Sequence, residues 1–239
     1  MATIEAVRPH SHARTSPFHN EPATDFARGD VAREMREALR QVEGQLGREY
    51  DLVIGGRRVR TSDKIQSVNP ARPSQIVGIH QKAGKEHVEP AMEAALRAFE
   101  SWRRTSWDER ISLLFRVAEI LRERKFEMMA WLVFEVSKNW AEADADIAET
   151  IDFCEFYARE AQKLSHAKAP VQLPGEHDQF FYIPLGVGAV IPPWNFPCAI
   201  MAGMTLASIV CGNTVILKPS SDSSSCRAMK RGPLPSTCS

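Results

Sequence analysis

Apolar residues recur at helical spacing over much of the chain. Val31, Met35, Ala38 and Val42 form one stripe, with Asp30 in position to cap its start and Gly47 to stop it, so a helix is expected over about 30–46. Asp51-Leu-Val-Ile54 and Arg57-Arg-Val-Arg60 flank Gly55-Gly56, the glycine pair a tight hairpin turn needs, and β or loop structure should continue to about residue 80. Val88, Met92, Ala95, Phe99 and Trp102 then share a helical face, with Pro90 tolerated in the first turn. Ser106-Trp-Asp-Glu109 has the spacing of a capping box ahead of Ile111, Leu114, Phe115, Ala118 and Leu121. Phe126, Met129, Ala130 and Val133 predict a helix over about 125–136, and Ile147, Ile151, Cys154, Ala158 and Ala161 another over about 141–163. These stripes are core faces.

The pattern changes after residue 178. No side chain from 179 to 217 carries a charge. A membrane span fails, because Pro184, Pro192, Pro193, Asn195 and Pro197 interrupt the stretch and the remainder, 198–211, falls short of the roughly 20 residues a crossing helix needs. The segment is therefore expected to be buried on all sides by protein. Gly186-Val-Gly-Ala-Val-Ile191 is a strand, 199–210 a helix of small residues and Thr214-Val-Ile-Leu217 a second strand. Two uniformly apolar strands joined by a helix predict a parallel pair in an α/β sheet.

Charge is balanced, with 30 basic against 30 acidic side chains, and no basic run or patch marks a nucleic-acid or membrane partner. The five cysteines are never close enough for a metal or redox pair, which fits reduced thiols and a cytoplasmic setting. His10, His12 and His19 lie in an N-terminal stretch without an apolar signal region or a completing ligand set, so residues 1–25 are expected to be a loose arm and no metal site is assigned.

Ligands in such sheets bind beyond the carboxyl ends of the strands. Those ends carry Pro192-Pro-Trp-Asn195 and Lys218-Pro-Ser220. An asparagine amide donates to a developing oxyanion, and a lysine ammonium reaches a ribose hydroxyl or a phosphate. A turn-forming Asn195 and a solvated loop Lys218 are the alternatives that spacing leaves open.

Ile191-Pro-Pro-Trp-Asn-Phe-Pro197, the small-residue helix and Gly212-Asn-Thr-Val-Ile-Leu-Lys-Pro219 together resemble the start of the nucleotide-binding domain of the aldehyde dehydrogenase superfamily. Trp140-Ala-Glu-Ala-Asp-Ala-Asp146 is similar to the same family. Asn20-Glu-Pro-Ala-Thr-Asp-Phe26, Ile65-Gln-Ser-Val-Asn-Pro70 and Ile151-Asp-Phe-Cys-Glu-Phe-Tyr-Ala-Arg159 resemble its branch that oxidises L-glutamate γ-semialdehyde to glutamate in proline breakdown. The likeness runs over about 18–223.

It implies an α/β, aldehyde dehydrogenase-like fold: an arm over 1–25, a helical region with a hairpin and an assembly strand over 26–183, and the incomplete start of a Rossmann-type parallel sheet over 184–223. In the family a cysteine thiolate attacks the aldehyde, an asparagine amide and a backbone amide hold the oxyanion, hydride passes to NAD, and a glutamate base activates the hydrolytic water. Asn195 matches the oxyanion asparagine and Lys218 the lysine on the adenosine ribose. Ile191, Pro193 and Trp194 match the nicotinamide side, and Ser220 the ribose end. Ser221, followed by Asp222, stands where many members have a ribose-binding glutamate, so that ribose contact is not carried over, and the segment that decides NAD against NADP is expected downstream, which leaves NADP open beside NAD. The pattern stops near Ser223, ahead of a Ser/Pro-rich tail over 224–239. The family's glycine motif, glutamate base and nucleophilic cysteine have no counterpart, and none of the five cysteines matches the nucleophile. The expectation is thus a truncated, inactive form of a homo-oligomeric enzyme for a small aldehyde. A non-catalytic fragment that associates with full-length subunits and a dehydrogenase of another aldehyde are the alternatives.

Overall fold

A computed structural model describes residues 16–165 and 170–223. The arm's first 15 residues, with His10 and His12, and the tail from 224, with Cys226 and Cys238, lie outside the described residues.

Helix α1 (Gly29–Glu43) buries Ala32, Met35, Ala38 and Val42, the expected face. Its ends differ from expectation. Asp30 lies inside the first turn and its carboxylate pairs with Arg28 at 2.7 Å, while the helix closes at Gly44. Gly47 instead turns the chain into β1 (Arg48–Tyr50) with φ +74°. Strands β2 (Leu52–Ile54) and β3 (Arg57–Val59) form the expected hairpin, with Gly55 and Gly56 at φ +54° and +76°, as a primed turn requires. Long strand β5 (Arg72–Gln81) lies between β1, parallel to it, and antiparallel β4 (Lys64–Asn69).

Helices α3 (Trp107–Glu123), α4 (Lys125–Val136) and α5 (Trp140–Ser165) follow their predicted stripes. Phe115, Leu114, Met129, Leu132, Ile147 and Ile151 are all at most 2% exposed, and each contributes about 1.5–3 kcal/mol of transfer free energy. Ser106 Oγ accepts the Glu109 amide at 3.2 Å at the start of α3. A reciprocal box opens α5: Asn139 Oδ1 accepts the Glu142 amide at 2.9 Å, and Glu142 Oε2 accepts that of Asn139 at 3.1 Å.

Two expectations need correction. The arm is tied down from Ser16 onward. Asp152 accepts Asn20 Nδ2 and the Glu21 amide, both at 2.7 Å, Asp144 accepts the Thr24 amide at 2.9 Å, and Arg122 pairs with Glu21 at 2.8 Å. The apolar face of α2 (Val88–Trp102) is largely open: Ala95 is buried but Val88 is 60% exposed. This helix lies against the short pair β6 (Val187–Val190) and β7 (Thr214–Leu217), a surface too small to cover it.

Candidate functional site

Strands β6 and β7 run parallel, joined by α6 (Ala199–Val210), as the strand–helix–strand pattern predicts. Val187 pairs with Thr214 and Val190 with Leu217, and the Lys218 amide donates to the Val190 carbonyl at 2.9 Å. Ile191 and Lys218 therefore leave the sheet side by side at its carboxyl rim.

The expected site residues gather around this rim. Ile191, Pro193, Trp194 and Asn195 are exposed in the loop from β6 to α6, over buried Pro192 and Pro197. Ile191 and Trp194 show 61% and 56% of their surface, an apolar patch beside the exposed Lys218 ammonium, whose one described hydrogen bond is to the Pro219 carbonyl at 3.3 Å. Ser220 is half-buried, and its Oγ accepts the Asp222 amide at 3.3 Å in a local turn.

Helix α6 joins the two strands; its start has no side-chain cap of its own, its end is closed by Gly212 and Asn213 bonding back to the Ile209 and Ser208 carbonyls at 3.0 and 3.2 Å, and other elements add to both. At its start, buried Asp146 of α5 accepts the Ala199 amide at 2.8 Å and the Lys138 ammonium at 2.9 Å. At its end, the Trp102 indole and the Arg110 guanidinium each donate at 2.9 Å, to the carbonyls of Ile209 and Val210. Arg110 also stacks over Trp107 at 4.7 Å. Gly203 lets α5 approach: a Cβ there would meet the Phe153 ring at 2.9 Å. On the far side of the pair, Asn213 Oδ1 accepts the amides of Leu185 and Gly186 at 2.7 and 3.0 Å.

Burial pushes the Asp146 carboxyl above its ordinary range, opposed by Lys138 and by the Ala199 and Cys198 amides. Burial likewise pushes the Cys154 thiol up to about 12, with neighbouring Cys198 adding to it. Cys211 is also raised by burial, against the pull of Arg110. Neither Cys154 nor Cys211 has the lowered pKa of a nucleophile.

The uncharged segment is not buried on all sides. Phe181, Ile183 and Leu185 are 70%, 69% and 96% exposed, and 179–184 forms no helix or strand. The two four-residue strands pair with each other, which leaves their outer edges and the approach to β6 uncovered. Sequence reasoning also missed Lys138 and Asp146. The available signal was an acidic residue one position before Ile147, on a helix face flanked by Ala143 and Thr150, where burial demands a partner.

Comparison with known proteins supplies the frame. 1-Pyrroline-5-carboxylate dehydrogenase of Geobacillus kaustophilus is 55% identical over 205 residues, 86% of this chain and 40% of the relative. A namesake from Halalkalibacterium halodurans is 50% identical over 206 residues. Among solved structures, the Thermus 1-pyrroline-5-carboxylate dehydrogenase with bound NAD matches at 47% identity and a TM-score of 0.87, over 90% of this chain and 42% of that one. The Mycobacterium tuberculosis enzyme matches at 29% identity and a TM-score of 0.81. The chain thus spans about 40% of the length of the curated relatives it matches. The aldehyde dehydrogenase family model matches residues 58–230, and with it the strand–helix–strand unit and both rim loops, so the chain belongs to the aldehyde dehydrogenase family.

Proposed function

We propose that this chain supplies the N-terminal part of an NAD-dependent dehydrogenase that oxidises L-glutamate γ-semialdehyde to glutamate. The observation that carries the reading is the juxtaposition at the β6–β7 rim of an exposed asparagine, an apolar patch and a lysine ammonium, in a chain whose relatives at 50–55% identity are named 1-pyrroline-5-carboxylate dehydrogenase.

NAD suits these residues chemically, and when bound it supplies the two-electron acceptor. Ile191, Pro193 and Trp194 offer the apolar surface a nicotinamide ring packs against. Lys218 offers ammonium donors to ribose hydroxyls, with Ser220 beside it at the same end. Asn195 carries the chemistry assigned to this chain. Its side-chain amide donates to the oxygen of the former carbonyl as that oxygen gains negative charge, and so lowers the barrier to attack. The fixed loop holds the donor in place before charge develops, so little reorganisation accompanies the reaction.

The test is a chimaera that joins residues 1–223 of this chain to the C-terminal remainder of the Geobacillus kaustophilus enzyme. Semialdehyde-dependent NADH formation is expected, and Asn195→Ala should lower kcat by about 10²–10³. Unchanged kcat in the alanine variant would overturn the role of Asn195.

A second reading rests on the exposed apolar run at Phe181, Ile183 and Leu185. This segment resembles the family's assembly strand, so the chain associates through it with a full-length subunit. Co-purification of tagged chain with the Geobacillus subunit, abolished by Ile183→Asp, would support it, and no co-purification would argue against it.

A further inference from the structure

Asn195 stands in a loop whose placement is governed by a helix distant in sequence. Two contacts join that loop to the start of α5. The Lys138 ammonium lies 3.9 Å from the centroid of the Phe196 ring, next to Asn195 in the chain. The same ammonium pairs with Asp146 Oδ2 at 2.9 Å, while Asp146 Oδ1 accepts the Ala199 amide at 2.8 Å. The loop is thus gripped on its ring at 196 and on its backbone at 199, with Pro197 buried between.

The side chains of Asp146 and Lys138 are 0% and 10% exposed. A buried ion pair is a poor source of stability, since desolvating two charges offsets most of their attraction, whereas its directional bonds fix geometry. Beyond their bond to each other, the described side-chain contacts of the two residues go to the Phe196 ring and to the Ala199 amide, in the loop and at the start of the helix that follows it. Ser137, in the left-handed region at φ +53°, turns the chain between α4 and α5 just ahead of the lysine.

We propose that Lys138 and Asp146 are positioning residues for Asn195: the pair sets where the amide donor stands by holding Phe196 and the first turn of α6. The proposal deepens the oxyanion reading and rests on it for its catalytic consequence, while its structural core is measurable without substrate.

The test begins with hydrogen–deuterium exchange of the 239-residue chain, followed by mass spectrometry. In Lys138→Met, amides 198–203 should exchange about tenfold faster than in wild type, the ratio expected for loss of one charge-assisted hydrogen bond. Residues 111–121 of α3 should keep their rates. Lys138→Arg, which retains a cation for both Asp146 and the ring, should restore the rates to within about threefold. Phe196→Leu removes only the ring contact and should give a smaller acceleration confined to the same segment, which keeps the test decisive if Lys138→Met fails to fold.

In the chimaera, Lys138→Met should lower kcat by about tenfold or more with KM for NAD little changed, because a misplaced catalytic donor affects the chemical step. Lys138→Arg should recover kcat. Wild-type exchange at 198–203 in both Lys138→Met and Phe196→Leu would overturn the proposal. Altered exchange with full activity in Asn195→Ala would instead sink the oxyanion reading and leave the grip on the loop intact.

Discussion

Cys154 shows how burial decides reactivity. It is fully buried in α5, and its thiol is pushed up to about 12 by burial and the nearby Cys198. At pH 8 only about one thiol in 10⁴ is then ionised, so alkylation of native protein should spare Cys154 and label it on denaturation. Linkage fixes the sign for stability. The unfolded thiol ionises from about pH 9 while the folded one keeps its proton, so the contribution is full below pH 9 and lost as pH rises toward 12. Urea unfolding of Cys154→Ala should accordingly show a shallower alkaline decline than wild type. Arg110 belongs to the same scale: it is 3% exposed, donates to the Val210 carbonyl and to that of Thr105, and covers Trp107. Arg110→Ala leaves those acceptors unpaired and should cost about 2–4 kcal/mol in chemical denaturation. Lys138 and Asp146 were hidden in the sequence, because a lysine in a link and an aspartate on the next helix look solvated until the tertiary fold covers them.

Among elements, α6 is the one on which the site depends. Its start has no side-chain cap of its own and is closed by Asp146, whereas its end is capped locally by Gly212, at φ +87°, and Asn213, whose amides donate to the Ile209 and Ser208 carbonyls, with Trp102 and Arg110 adding bonds from two other helices. Its close approach to α5 at Gly203 makes a further prediction. A Cβ would sit 2.9 Å from the Phe153 ring, so Gly203→Ala should lower stability by about 1–3 kcal/mol and Gly203→Val by more, measured by thermal unfolding. Helices α3 to α6 and the β6–β7 pair were legible because their faces repeat with the right period and end at clear caps or glycines. The face of α2 was read as core, yet periodicity reports which side is apolar and not whether a partner covers it. The same gap explains the uncharged run, whose exposed Phe181, Ile183 and Leu185 looked buried by composition alone.

For the whole molecule, the chain joins a helical core to the parallel β6–β7 pair and matches about 40% of the length of its relatives. The rim residues were legible by two routes, strand ends in an α/β unit and family resemblance, and the register of Val190 with Leu217 is what brings the two loops together. Burial raises the Cys154 and Cys211 thiols and Cys198 is buried, and the 239-residue polypeptide purified alone is predicted to form no NADH from any aldehyde, read at 340 nm. Asn195, proposed as the oxyanion donor of a semialdehyde dehydrogenase, is tested by single-turnover NADH formation by the chimaera with and without Asn195→Ala. Turnover is expected in the parent and a loss of about 10²–10³ in the variant, with NAD binding retained. Equal rates in the two proteins would contradict that role.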